Sequence, residues 1–166
     1  MPTDFLRVLK AFGDAGVRYV LVGGLAVLLH GVDRLTADID LVIDLAPDQA
    51  TKAIEVLLAL GFRVNAPVDP REFADPAVRR RWRETSGLVV LSFWDPQNRS
   101  PTVDVFADYP MDFETMFAKA VIVPQSGTQV RIASVEDLVA IKRAAGRPRD
   151  LEDAARLVQL AAEKQT

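Results

Sequence analysis

Asp38 and Asp40 stand two residues apart in an otherwise apolar run, Asp38-Ile39-Asp40-Leu41-Val42-Ile43. Aspartate is depleted in strands, and neighbouring carboxylates resist joint ionisation. Residues i and i+2 of a strand share a face. Both carboxylates therefore point one way, with Thr36 beside them, and Ile39, Leu41 and Ile43 take the other side. A bound divalent cation is the simplest reason to keep such a pair. The competing reading is a solvated strand end, but the run stays apolar on both faces through Ile43, as an interior strand does. Asp44 shares the parity of the pair yet sits at the strand exit before Pro47, and reads as a solvated charge. Asp104 interrupts a second apolar run, Thr102-Val103-Asp104-Val105-Phe106. Alone it fits an ordinary edge acid. With Asp38 and Asp40 it completes three carboxylates on neighbouring strands, the makings of a two-metal site for phosphoryl-group chemistry.

Gly23-Gly24 lies upstream, where the apolar run Val17–Val22 ends and a short apolar helix begins. Glycine lets backbone approach a phosphate closely, and a helix start offers free N–H groups. The pair alone fits a plain strand-to-helix turn; the acids downstream favour the phosphate. Lys142 falls on an apolar helical row with Val135 and Val139. It reads either as a cation reaching a triphosphate from the core edge or as a side chain snorkelling to water. Arg34 suits either phosphate contact or plain exposure. His30 ends a helix, where a structural role outweighs catalysis. Asp150 reads foremost as a helix N-cap with Asp153 in the first turn. Arg79, Arg80, Arg81 and Arg83 surround Trp82, a pattern of a charged strand edge or, less simply, of a single-stranded RNA contact.

Composition narrows the metal. The chain of 166 residues has no cysteine and one histidine. That removes disulfides, thiolate zinc sites and cysteine nucleophiles, and leaves oxygen ligands, which suit Mg²⁺ or Mn²⁺. The net charge of −3 carries no global nucleic-acid signature. The N-terminus lacks a signal-peptide pattern, and no apolar stretch nears the ~20 residues that span a bilayer. The expectation is a cytoplasmic protein with no membrane association, built as one domain over residues 1–166.

The elements that must position these residues follow from periodicity and punctuation. Helices are predicted over residues 3–15, 25–30, 47–60 and 134–146, with a last one from about Asp150. Strands are predicted over 17–22, 37–43, 62–64 and 102–106. Residues 79–84 and 88–93 are predicted to pair as strands around Ser86-Gly87, and 119–124 with 128–132 around Ser126-Gly127. The prolines at 67, 70 and 76 break up a loop with room for one helical turn.

Gly23-Gly24, a gap of thirteen residues, Asp38-Ile39-Asp40 and the later Val103-Asp104-Val105 together resemble the nucleotidyltransferase superfamily related to polymerase β. The longer run through Leu25-Ala26, His30-Gly31, Arg34 and Thr36 resembles the branch of the AbiEii-type toxins of type IV toxin–antitoxin systems. Lys142, Arg147, Arg149-Asp150 and Asp153 are similar to that branch's last motif. The resemblance implies an α/β fold with a mixed twisted sheet, helices mainly on one face and two C-terminal helices. It also implies Mg²⁺ (or Mn²⁺) and an NTP as substrate, with NMP transferred to a hydroxyl acceptor such as tRNA or a protein. Asp38, Asp40 and Asp104 would be metal ligands, and Asp104 would help deprotonate the acceptor. Gly23, Gly24, Arg34, Thr36 and Lys142 would hold the nucleotide, supported by Arg147 and Asp150. A cognate antitoxin and an oligomer are implied partners. The larger toxins carry further substrate-binding helices, so the acceptor site here is expected to be shallow or shared with another subunit. Three rivals stand beside this reading: an antibiotic acceptor, a non-catalytic nucleotide- or partner-binding role, and a glycosyltransferase using Asp-x-Asp.

Overall fold

The run Tyr19–Val22 forms strand β1, and all four of its residues are buried. It lies at the heart of a mixed sheet seen in a computed structural model that describes residues 3–165. Before it comes helix α1 (Thr3–Asp14), whose Phe5, Val8, Leu9 and Phe12 make one buried stripe at helical spacing. After it come α2 (Gly23–Leu29), β2 (Asp38–Ile43), α3 (Pro47–Ala59) and the short β3 (Arg63–Val64). A 3-10 turn at Pro70–Ala74 precedes α4 (Pro76–Ser86), then β4 (Val90–Trp94) and β5 (Thr102–Phe106). The chain continues through α5 (Phe113–Lys119), the hairpin β6 (Val121–Gln125) and β7 (Thr128–Ile132), α6 (Val135–Ala145) and α7 (Pro148–Glu163).

The seven strands run in the order β3-β4-β5-β2-β1-β7-β6. β2 is parallel to β5 and antiparallel to β1, while β1 is parallel to β7. The strand period of two sorts the central residues cleanly. Ile39, Leu41, Leu91, Phe93, Val103 and Val105 are fully buried. Their neighbours Asp38, Asp40, Ser92 and Asp104 take the opposite parity and stay partly open. α1 packs on β7 and α3, and α3 on β2 and the 3-10 turn. One contiguous core cluster links these layers. No helix among the described residues is long and apolar enough to cross a membrane.

Two regions differ from the sequence expectation. Residues 79–84 are helical, in α4, rather than a strand paired with 88–93. Asp75 caps the helix by accepting from the Ala77 N–H, Pro76 occupies the first turn, and Gly87 ends it in a left-handed conformation at φ 66°. Val78 and Trp82, four residues apart, face inward. β4 pairs with β5 and β3 instead. The arginine run misled because charged residues tolerate either state; the decisive cues are the Asp-Pro start and the Gly stop. Second, α5 forms where the sequence pattern predicts no element. Asp112 caps it through the Thr115 N–H and hydroxyl.

Candidate active site

The register of the central strands gathers the acids. Asp40 lies opposite Asp104 across the parallel β2/β5 pair and opposite Val22 on β1, and Asp38 lies opposite Thr102. Val22 leads directly into Gly23, so the strand-to-helix turn arrives beside Asp40. Gly23 has φ +67°, and a Cβ there would stand 2.0 Å from Oδ2 of Asp40. A Cβ on Gly24 would stand 2.8 Å from the Arg34 guanidinium carbon and 2.9 Å from Oγ1 of Thr36. The two glycines thus let a carboxylate close in on one side of the turn, and a guanidinium with a hydroxyl on the other.

Above this floor is a cleft of about 730 Å³. Gly23, Gly24, Asp38 and Asp40 form its base, residues 34–37 one side, and Leu138, Ile141, Lys142 and Ala145 of α6 another. Those four α6 residues share one helical face by their spacing. Arg147, Arg149 and Asp150 close it at the start of α7, and Phe106 at the end of β5 and Tyr109 beyond it also line it. Asp104 sits outside the cleft wall. Its Oδ1 is buried with no hydrogen-bond partner, and Ser92 of β4 stands opposite it.

The cations are held by acids of α7. Nζ of Lys142 lies 3.0 Å from Oδ1 of Asp150 and 2.9 Å from Oδ2 of Asp153. Arg34 also pairs with Asp153, and Nε of Arg147 lies 2.6 Å from Oδ2 of Asp150. Lys142 is 9% exposed, so its head does not snorkel to water; it is buried and doubly paired. Asp150 is not the N-cap of α7. Arg147 occupies that position without a side-chain cap bond, and Asp150 spends its oxygens on Lys142 and Arg147. Arg149 donates to the Leu35 carbonyl at 2.5 Å and Arg156 to the Asp33 carbonyl at 3.1 Å, tying α7 to the loop before β2.

The electrostatics separate the two acid groups. Burial, then Asp104 and Asp38, push Asp40 up to about 6, against the pull of Lys142 and Arg34. Burial also raises Asp104, against a lowering contribution from Ser92. Burial alone would raise Asp150, but its bonds to Arg147 and Lys142 together outweigh it and hold the carboxyl low. Tyr109 is raised by burial and then by Asp40 and Asp137.

The donor chemistry fits a hard divalent cation. The acids supply oxygen only, Asp40 and Asp104 are register neighbours, and Asp104 has an oxygen without a partner. No three Asp, Glu or His side chains among the described residues are arranged to hold a metal ion as they stand.

Other expected roles fall away or change. The His30 ring bonds through Nε2 to the Ala133 carbonyl at 2.8 Å, a structural tie from α2 to the segment entering α6. Asp44 is not a free solvated charge, because Arg18 and the Ala46 N–H both bind it. Arg79 is buried and donates to the Phe73 and Leu45 carbonyls. Trp82 is also buried, so the arginine run offers no aromatic platform for RNA. Tyr109, Leu35 and Ile141 line the cleft without having been singled out by sequence. Tyr109 lies in an irregular turn after β5, where no periodicity marks which side chains face inward.

No curated protein matches the sequence. Several solved structures share its fold. One is the lincosamide antibiotic adenylyltransferase LnuA, solved with lincomycin: TM-score 0.64, 16% identity, covering 96% of this chain and 98% of that one. A nucleotidyltransferase-type structure from Thermotoga maritima gives TM-score 0.59 at 18% identity, with 98% and 96% covered. ANT(2'')-Ia, solved in complex with adenylyl-2''-tobramycin, gives 0.56 at 19% identity, with 96% and 89% covered. At such identities these neighbours establish the fold. The family described as "nucleotidyltransferase of unknown function (DUF6036)" matches residues 5–159, nearly the whole chain. With an Asp-x-Asp strand and a Gly-Gly helix start meeting under one cleft, the chain belongs to this nucleotidyltransferase family.

Proposed function

We propose that residues 1–166 form a single domain that transfers NMP from an NTP to a hydroxyl acceptor with the help of Mg²⁺ or Mn²⁺. The observation that carries this reading is the seat of Asp40. It is pressed between the Gly23 backbone and Asp104, its charge is disfavoured to a pKa of about 6, and it faces a cleft rimmed by cations. A carboxylate so placed gains most from a cation ligand.

Asp38 and Asp40, completed by Asp104, would hold the metal. Such an ion, when bound, neutralises phosphate charge and polarises the reacting phosphoryl group. The chain's own groups do the rest. The Gly23-Gly24 turn lets phosphate oxygens approach the backbone, with Arg34 and Thr36 packed over Gly24. Lys142 reaches the same cleft from α6, steadied by Asp150 and Asp153, and Arg147 steadies Asp150. The acceptor oxygen attacks the α-phosphorus, the α–β phosphoanhydride bond breaks, and pyrophosphate leaves. The hydroxyl proton passes to a carboxylate, a role the family resemblance gives to Asp104 and its raised pKa suits.

The acceptor is an RNA end such as that of tRNA, or a protein hydroxyl. A small hydroxylated drug is the second reading, supported by the near full-length fold match to a lincosamide adenylyltransferase. A toxin role with a cognate antitoxin is a further extension of the first.

The test is incubation with each α-labelled NTP, Mg²⁺ and either total RNA, total protein, lincosamides or aminoglycosides. Label should pass to one acceptor class and be lost in the Asp38→Asn/Asp40→Asn variant. Full transfer by that variant overturns the assignment. Growth arrest on expression, relieved by the same variant, tests the toxin role.

A further inference from the structure

Tyr109 is a hydrogen-bonding group without a partner among the described residues, in the cleft lined by Gly23, Gly24, Asp38 and Asp40. Its hydroxyl makes no hydrogen bond among the described residues. It is nevertheless not sealed away. Among the described residues three polar side-chain atoms are buried without a partner, and the Tyr19 hydroxyl is among them, but the Tyr109 hydroxyl is not. The Tyr109 ring is half-buried and locked edge-on against Phe106, with centroids 4.9 Å apart and planes at 68°. Both rings line the cleft with Asp38 and Asp40. The phenol thus has a fixed ring and a free head.

Its surroundings say what the head can bind. Tyr109 lines one cleft with Asp40 of β2, and Asp137 lies on α6, one turn before the cleft residue Ile141. Asp137 is 2% exposed, and its Oδ2 has no hydrogen-bond partner. Lys119, 3.7 Å from its Oδ1, is the one cation paired with it among the described residues. A tyrosine phenol is protonated at neutral pH and can donate. It needs an oxygen acceptor, and neither carboxylate takes the bond. If Asp40 helps hold the nucleotide's phosphates through a metal, the group next to Asp40 is a phosphoryl group, and Tyr109 lines the same cleft.

We propose that Tyr109 is a nucleotide-contacting residue: its hydroxyl donates a hydrogen bond to a phosphoryl oxygen of the NTP bound beside Asp40. This rests on the nucleotidyl-transfer reading and adds to it a donor on the β5 side of the cleft. Arg34 and Lys142 approach from the α2 and α6 sides.

The test compares wild type with Tyr109→Phe, which keeps the ring against Phe106 and removes the donor alone. The probes are the α,β-methylene analogues of the four NTPs with Mg²⁺, measured by calorimetry, and steady-state transfer to the acceptor identified above. Loss of one neutral hydrogen bond should weaken analogue binding about five-fold and raise KM for the NTP by a similar factor. The melting temperature should be unchanged, because the hydroxyl holds nothing in the protein. Unaltered binding in Tyr109→Phe overturns the assignment. So does a lowered melting temperature with unaltered binding, which would reveal a structural bond. If wild type binds no nucleotide, the transfer reading falls and this inference with it. If wild type binds and transfers while Tyr109→Phe matches it, the Tyr109 assignment alone falls.

Discussion

Asp40 and Asp150 are both withdrawn from solvent, yet their pKa values move in opposite directions. Around Asp40 the nearest charges on the sheet are other acids, Asp38 and Asp104, and the cations Lys142 and Arg34 are engaged with Asp153. Around Asp150 the nearest charges are Lys142 and Arg147, both within 3.0 Å. The α7 acids therefore stabilise the free protein and place its cations. Asp40 and Asp104, buried among other acids on the sheet, have their charged forms disfavoured. One carboxylate is satisfied by the protein's own cations and the other is not, a distinction that residue type alone does not reveal.

This contrast can be broken in graded ways. The largest effect is expected from Asp40→Asn, which should reduce NMP transfer by at least about a thousand-fold, on the scale of losing a principal electrostatic group in a transfer site. The same variant should melt no lower than wild type, since it removes a charge repelled by its neighbours. A large loss of stability would show that Asp40 is scaffold after all. Lys142→Met should do the reverse in stability, costing about 3 kcal/mol in urea unfolding, because Asp150 and Asp153 lose their shared partner in a buried setting. Adding Asp150→Asn and Asp153→Asn to that variant should recover part of the loss.

Gly23→Ala ranks next. The positive φ alone costs about 1–2 kcal/mol for a residue with a Cβ, and the new methyl must displace Asp40. Transfer should fall more than stability, and a wild-type rate would mean that the position of Asp40 does not matter.

The smallest effect is the pH response of the metal-free protein. The folded pKa of Asp40, about 6, lies above the usual 3.8. Its stabilising contribution is complete below about 3.8 and is lost as pH rises through about 6. Asp150, lowered, contributes in the opposite sense and loses its contribution only as pH falls below the ordinary carboxylate range. Between about pH 4 and 7, melting temperature should therefore decline through the Asp40 contribution, in the field of Asp38, Asp104, Lys142 and Arg34. Asp40→Asn should flatten that slope. Mg²⁺ affinity should instead rise through the same range.

Much of this was legible along the chain. The Gly-Gly turn, the alternating β2 with its two acids and the Asp104 strand each carry a local signal, because strand parity and glycine geometry act within a few residues. The capped start of α6 and the Gly146 stop were legible for the same reason. The α4 helix was not, because a run of arginines satisfies both an exposed strand and an exposed helix. Nor was the partner of Asp150, since a carboxylate in a first helical turn is as good a cap as an ion-pair acceptor until the neighbouring helix is placed.

The sequence by itself determined which residues could do chemistry: the acids at 38, 40 and 104 and the glycines at 23 and 24, with the scarcity of histidine and cysteine leaving oxygen as the ligand for any metal. Only the tertiary structure decided how they are wired. The β2/β5 register set Asp40 against Asp104, the packing of α6 and α7 gave Lys142 to Asp150 and Asp153, and the turn after β5 brought Tyr109 into the cleft. Pairing across strands and helices depends on contacts between residues far apart in the chain, and no local pattern encodes which of two competing partners a charge will find.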